Sequence, residues 1–294
     1  MKRIWILWIL PLYFFAGESK NQIQWLNAVY FPGLETKVVV SHEEKIPFLR
    51  GNGLLTKDNS LTWRLFGEIS PVSVNGGAQV SISPLAVLVF TAGGKIGTGW
   101  TLLNFVGLAL NPLTNTNHIQ TPTPFGGVVA EGWISGAFQF DTGAIIPGDW
   151  SHVLVYAEQK LNYRMLSSAD DETPWLYEAD KGQNYNGWKY LTTTVLAYQM
   201  PLWLKNVGFL ASTTSRITKK DVSPMKDKGW ASDFTEWVFG PLAYMEFGQH
   251  GLTLLFQWYT EPQFESKDGH FTSWQYRETL IKPYRVALSY AYSF

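Results

Sequence analysis

A carboxylate beside an imidazole can orient and deprotonate a water molecule, and Asp268-Gly269-His270 offers that pairing. Asp170-Asp171, far upstream, supplies a second pair of carboxylates. The rest of the reactive inventory is thin. The 294-residue chain has no Cys, which excludes a disulfide framework, a thiolate metal site, a Cys nucleophile and a lipoprotein anchor. His42, His118, His152 and His250 stand without ligand spacing. There is no Gly-x-Ser-x-Gly, no His-Glu-x-x-His and no phosphate loop. A lone Asp-x-His is common by chance, so a solvated loop competes with a hydrolytic site, and the expectation is no catalytic site, no metal and no cofactor.

A larger set of ionisable groups shares one parity along the chain. Lys37, Arg64, Lys160, Arg164, Lys189, Arg216 and Arg285 are matched by Glu43, Glu68, Asp141, Glu158, Glu236, Glu246 and Glu261, seven of each sign. What such a set does depends on the elements that carry it.

Composition narrows those elements. Charged residues are 16% of the chain, aromatics are also 16%, and 14 residues are Trp. That is fewer charges than a soluble domain carries. The 23 basic and 24 acidic residues leave a formal charge of −1, so no basic field points to nucleic acid. Met1-Lys2-Arg3, the apolar run Ile4 to Phe15 and the small pair Ala16-Gly17 are laid out as a secretory signal peptide. Residues 1–17 are therefore expected to be removed on export, leaving 18–294 as one domain. Phe14 and Phe15 fit the cleavage rule poorly, and a buried N-terminal helix is the alternative. Downstream, no apolar run reaches the roughly 18 residues of a membrane-spanning helix.

The final segment alternates without a break. Tyr284, Val286, Leu288, Tyr290, Tyr292 and Phe294 share one face, while Arg285, Ala287, Ser289, Ala291 and Ser293 share the other. This is the period of a strand between two unlike environments. It resembles the last strand of bacterial outer-membrane β-barrel proteins, which ends in Phe with aromatic or apolar residues at alternate positions. The resemblance implies that Tyr290, Tyr292 and Phe294 form the signal read by the barrel-assembly machinery, and it implies placement in the outer membrane among its lipids.

The same alternation recurs upstream, for example in Val153, Val155, Ala157 and Leu161 against His152, Glu158, Lys160 and Asn162. A soluble β-sandwich also alternates, but it does not explain Trp and Tyr near the ends of the apolar faces, where barrels carry interfacial girdles. The expected fold is all-β, a transmembrane antiparallel up-and-down β-barrel. Strands are predicted near 133–142, 151–165, 188–200, 206–217, 235–247, 252–264 and 282–294. The N-terminal half supports two counts. Strands at 35–45, 61–73 and 78–91 make ten in all. Further strands at 22–31 and 96–110, with a tight turn at Thr91-Ala92-Gly93-Gly94, make twelve, which is favoured because a forty-residue structureless loop argues against ten. The long connections 166–187, 218–234 and 265–281 are expected to point outward and the C-terminus inward.

In such a barrel the matched charges face the lumen. Their balance argues against ion selectivity and is compatible with two readings. In one, paired side chains fill a narrow interior, which suits a non-conducting surface-exposed structural or adhesive barrel. In the other, a narrow channel passes small solutes, with Gly97, Gly99 and Gly107 lining a strip without bulk. Trp175, Tyr177, Tyr185, Trp230, Trp274 and Tyr276 are expected either in the girdles or on a surface that binds an extracellular ligand. Barrel proteases of the omptin type place an Asp pair and an Asp-x-His at the outer rim. Here the spaced Asp-x-Asp is absent and the loop order differs, so a rim hydrolase is the least favoured reading.

Overall fold

The computed structural model describes residues 18–30, 33–110, 121–170, 173–178, 184–217, 234–266 and 274–294. Twelve antiparallel strands form the wall: β1 (Glu18–Tyr30), β2 (Gly33–Pro47), β3 (Ser60–Ser70), β4 (Ser73–Leu85), β5 (Leu88–Gly99), β10 (Val129–Asp141), β11 (His152–Leu166), β13 (Gly187–Gln199), β14 (Leu204–Ile217), β15 (Glu236–Phe247), β16 (His250–Ser266) and β17 (Trp274–Ser293). Five short strands lie between them: β6 (Thr101–Leu102), β7 (Phe105–Val106), β8 (Leu108–Leu110), β9 (Thr121–Pro122) and β12 (Trp175–Tyr177). The shortest wall strand has 11 residues, enough to cross a hydrocarbon layer when tilted.

The wall closes where β1 meets β17. Gln22 pairs with Ser293 and Val29 with Val286. Phe294 extends the seam, its N–H donating to Asn21 O at 3.0 Å and its carbonyl accepting from Asn21 N at 3.1 Å. Closure gives every wall strand a hydrogen-bonded neighbour on both sides, which a spanning sheet requires because hydrocarbon offers backbone groups no partner.

The alternation sorts side chains as the sequence suggests. Ile23, Trp25, Val40, Leu65, Val80, Phe90, Ile134, Leu196, Phe209, Leu254 and Leu288 are exposed on the outer face. A soluble sandwich would bury such a set between its sheets, and here it faces outward all round the ring. Trp203 stacked on Phe247, with Tyr290, Tyr292 and Phe294, forms an aromatic girdle at the end with short turns. Trp188, Trp237 and Tyr163 are exposed near the other end.

Twelve strands is the predicted number, but two N-terminal boundaries differ. The turns fall at Pro71-Val72 and Ala86-Val87, and residues 91–94 lie inside β5, not in a tight turn. Gly93 is small for another reason: a Cβ there would lie 2.5 and 2.7 Å from ring carbons of Trp133. Past Gly99 the chain leaves the wall, so the predicted strand 96–110 does not form as one element. The connection after β16 is also shorter than predicted, since the strand pair continues to Ser266 and Trp274.

Candidate functional site: the lumen and its lid

Described parts of the connections after β5 and β11 fold back into the long-loop mouth as a lid. There β12, β8 and β9 make a small antiparallel sheet, while β6 and β7 form a hairpin beside it. Leu108, Trp175 and Tyr177 from the lid pack on Val129 and Leu166 of the wall, each at most 2% exposed. Burying each such side chain contributes about 1.5–3 kcal/mol. Asn186 fastens one end: it donates to the carbonyls of Leu166 and Ala169 and accepts from Leu166 N and Trp175 Nε1. Asn184 accepts from Arg164 at 3.0 Å and from Lys189 at 2.8 Å.

Three glycines let the lid approach. A Cβ at Gly97 would collide with Asn75 Oδ1, at Gly99 with Gly107 O and at Gly107 with Val72 O. They do not line an open strip, as the channel reading expects, because the lid occupies the space beside them. Trp175, Tyr177 and Tyr185 are likewise buried, so they belong neither to a girdle nor to an exposed recognition surface. Only distant packing distinguishes these roles. Trp230, Asp171, Asp268 and His270 lie outside the described residues.

Beneath the lid, charges of alternating sign run along the wall. Lys37 on β2 meets Glu68 on β3 at 3.4 Å, and Glu68 meets Lys95 on β5 at 3.8 Å. Lys95 meets Glu131 on β10 at 3.8 Å, and Glu131 meets Arg164 on β11 at 3.6 Å. On β4, between these strands, stands the neutral Asn75. Glu178, following β12, joins from the lid through Lys37 at 2.7 Å. The lid carboxylate therefore completes the balance of Lys37, Lys95 and Arg164 against Glu68, Glu131 and Glu178. Such mutual pairing offsets the desolvation that a lone charge would suffer there.

The other predicted lumen residues are more dispersed. Lys160 lies over the Trp133 ring at 4.7 Å, and Arg64 donates to Ser41 Oγ at 3.2 Å. Lys189 lies opposite Arg216 in register, and Glu236 lies opposite Thr214. Glu158 stands on β11 opposite Thr193, and Glu246 on β15 opposite Gly251. Asp141 is drawn to the short-turn rim, where it accepts from Gly143 N and bonds His152 at 2.8 Å. Glu43 lies opposite Arg64. Glu261 pairs with Lys282.

Sequence reasoning misses Lys95, Glu131, Glu35 and Glu178. Lys95 sits beside the predicted tight turn and Glu131 before the predicted strand start. Glu178 reads as one of the exposed loop acids. The available signal is parity: Lys95 and Glu131 share the inward parity of their own strands once the turn is moved.

Among the described residues, the lid's hydrogen bonds reach β2 at Lys37, β4 at Ser73 and Asn75, β5 at the Thr98 carbonyl, β11 at Arg164 and β13 at Lys189. Beside Lys37, between β1, β2, β16 and β17, lies a cavity of about 270 Å³, lined by Leu26, Glu35, Thr253, Leu255, Arg285 and Ser289. Arg285 reaches Glu35 at 3.1 Å and Gln257 at 2.7 Å beside it.

A closed twelve-strand antiparallel barrel with an apolar outer belt, aromatic ends and a charged interior is a transmembrane β-barrel of the bacterial outer-membrane kind. No family model matches the chain, and no curated protein matches its sequence. Solved structures similar to it include the KdgM porin, at 10% identity and TM-score 0.39 over 93% of this chain and 99% of that one. The β domain of the Bordetella autotransporter BrkA is similar at 11% identity and TM-score 0.41, covering 95% of this chain and 100% of that one. OmpT of Vibrio cholerae is similar at 7% identity and TM-score 0.37, covering 95% and 98%.

Proposed function

We propose that the barrel is a narrow passive channel for small polar solutes, with its outward mouth narrowed by the lid. The cavity of about 270 Å³ between β1, β2, β16 and β17 carries this reading. Its lining mixes Leu26 and Leu255 with Thr253, Ser289 and the Arg285–Glu35 pair, a surface that suits uncharged polar solutes better than either ion sign. The reading is non-enzymatic and gives Asp268 and His270 no role. In it, residues 1–17 direct export, and the strand ending in Tyr290, Tyr292 and Phe294 is engaged by the assembly machinery.

A second reading, a closed structural or surface-adhesive barrel, is favoured by the burial of Trp175 and Tyr177 at 0 and 1% exposure. Planar-bilayer recording with liposome swelling separates the two. Small discrete openings and entry of small sugars support the channel. Folded protein that neither conducts nor admits sugars supports the closed barrel instead.

A further inference from the structure

Glu178 joins the lid to the wall through more partners than a surface carboxylate holds. Its Oε2 accepts from Lys37 Nζ at 2.7 Å, and its Oε1 accepts from Ser73 Oγ at 2.7 Å and Asn75 Nδ2 at 2.9 Å. Asn75 Oδ1 in turn accepts from the Tyr177 hydroxyl at 2.8 Å. The Glu178 N–H donates to Gly107 O at 2.8 Å, so the two lid segments are tied at the same residue. Glu178 also has φ of 57°, the left-handed region that a Cβ disfavours, and no glycine relieves it. The unfavourable backbone is held in place by a carboxylate that meets β2 and β4 together.

We propose that Glu178 is an acid-released latch: its carboxylate holds the lid in the mouth, and protonation frees the lid and widens the channel. The proposal rests on the channel reading for its consequence but not for the lid movement itself.

The surrounding charges set the direction. Facing Glu178 or its cation are Lys37 and Glu35 on β2, Glu68 on β3 and Lys95 on β5; the β4 partners Ser73 and Asn75 are neutral. Burial alone would push the Glu178 carboxyl up. Lys37, its hydrogen bond, the Ser73 hydroxyl and Lys95 outweigh burial and hold the carboxyl below its ordinary value of 4.5. The latch is therefore fully present above that ordinary value and is lost as pH falls through the lower, docked value. Neutralised, Glu178 gives up its ion pair, while Lys37 keeps Glu68 at 3.4 Å.

The absence of Cys allows a direct test. Val129→Cys places a thiol in β10 beneath the lid, where the native side chain is 2% exposed. Ile145→Cys in a separate chain, at a site 72% exposed, normalises reagent chemistry at each pH. Labelling by a hydrophilic maleimide in detergent micelles, where both ends of the barrel meet the reagent, is compared in otherwise native protein, Glu178→Gln and Tyr177→Phe, all confirmed as folded by heat-modifiable gel mobility. The normalised labelling rate of the thiol beneath the lid is expected to rise about tenfold or more in Glu178→Gln at about pH 7. In otherwise native protein it rises progressively as pH falls below 4.5, whereas Glu178→Gln changes little with pH. Tyr177→Phe, which removes the neighbouring tie but keeps the carboxylate, raises the rate yet retains the acid response. Conductance is recorded in parallel. Equal labelling of native and Glu178→Gln protein overturns the latch, even if both conduct. Faster labelling without conductance upholds the latch and overturns the channel reading instead.

Discussion

Replacing Ile134 by Arg asks whether the outer face meets hydrocarbon or water. Ile134 is 59% exposed on β10, a strand of 13 residues. At about 3.4 Å per residue and about 45° of tilt, the strand covers about 29 Å along the membrane normal, and Ile134 lies about 12 Å from its outer end. That is close to mid-depth. A guanidinium on the lipid face near the midplane costs about 2–4 kcal/mol, and near an interface about 0–1 kcal/mol. On a water-facing surface the same change stays within about 0.5 kcal/mol. The folded-to-unfolded ratio should therefore fall about 30-fold to several hundred-fold relative to the parent. The matched control is Ile145→Arg, in the rim turn after β10, where the native side chain is 72% exposed. Reversible denaturant titration in phospholipid vesicles, read by gel mobility and tryptophan emission, measures both. If Ile134→Arg and Ile145→Arg both stay within about 0.5 kcal/mol of the parent, the lipid-facing belt is refuted along with the spanning architecture.

Two further outcomes follow from particular contacts. Arg285→Gln leaves Glu35 without its ion pair beside the lumen cavity. At near-bulk dielectric a unit charge is worth about 0.5 kcal/mol at about 8 Å, with opposite sign for cations and anions. Reversal potentials in a salt gradient should thus move toward cation preference by about fivefold in permeability ratio, and an unchanged or anion-ward shift contradicts the path. Deleting Phe294 removes its two backbone hydrogen bonds to Asn21 at the closing seam and the aromatic stacked on Tyr292. Membrane-assembled protein should fall several-fold in cells, and normal assembly would detach the C-terminal residue from any recognition role.

The candidate site was legible to the degree that it followed strand parity. Lys37, Glu68 and Arg164 were readable as inward because each sits among outward apolar residues of its own strand, and they do join the same charge ladder. Glycine was the main source of error. A Gly in a turn and a Gly under a packed ring look alike in one dimension. Gly93 is small because Trp133 lies against it from β10, and Gly97 is small because Asn75 and the Tyr177 hydroxyl crowd it. Nothing within either segment announces those neighbours. The long connection 166–187 misled for the same reason: its aromatics suggested girdle or recognition positions, yet Trp175 pairs with Leu110 and Asn184 and disappears into the mouth.

By itself the sequence favoured twelve wall strands over ten, and it determined the strand period and the outward and inward faces. These are consequences of the pleat, which sends successive side chains to opposite faces whatever their neighbours are. Tertiary structure alone decided where β5 ends, which glycines serve contact and which residues leave the wall to form the lid. It also decided that Glu178, a loop acid by its neighbours in the chain, is the partner of Lys37. That pairing joins residues 141 positions apart, and it exists because closure of the ring brings β2 within reach of a segment folded back from β11.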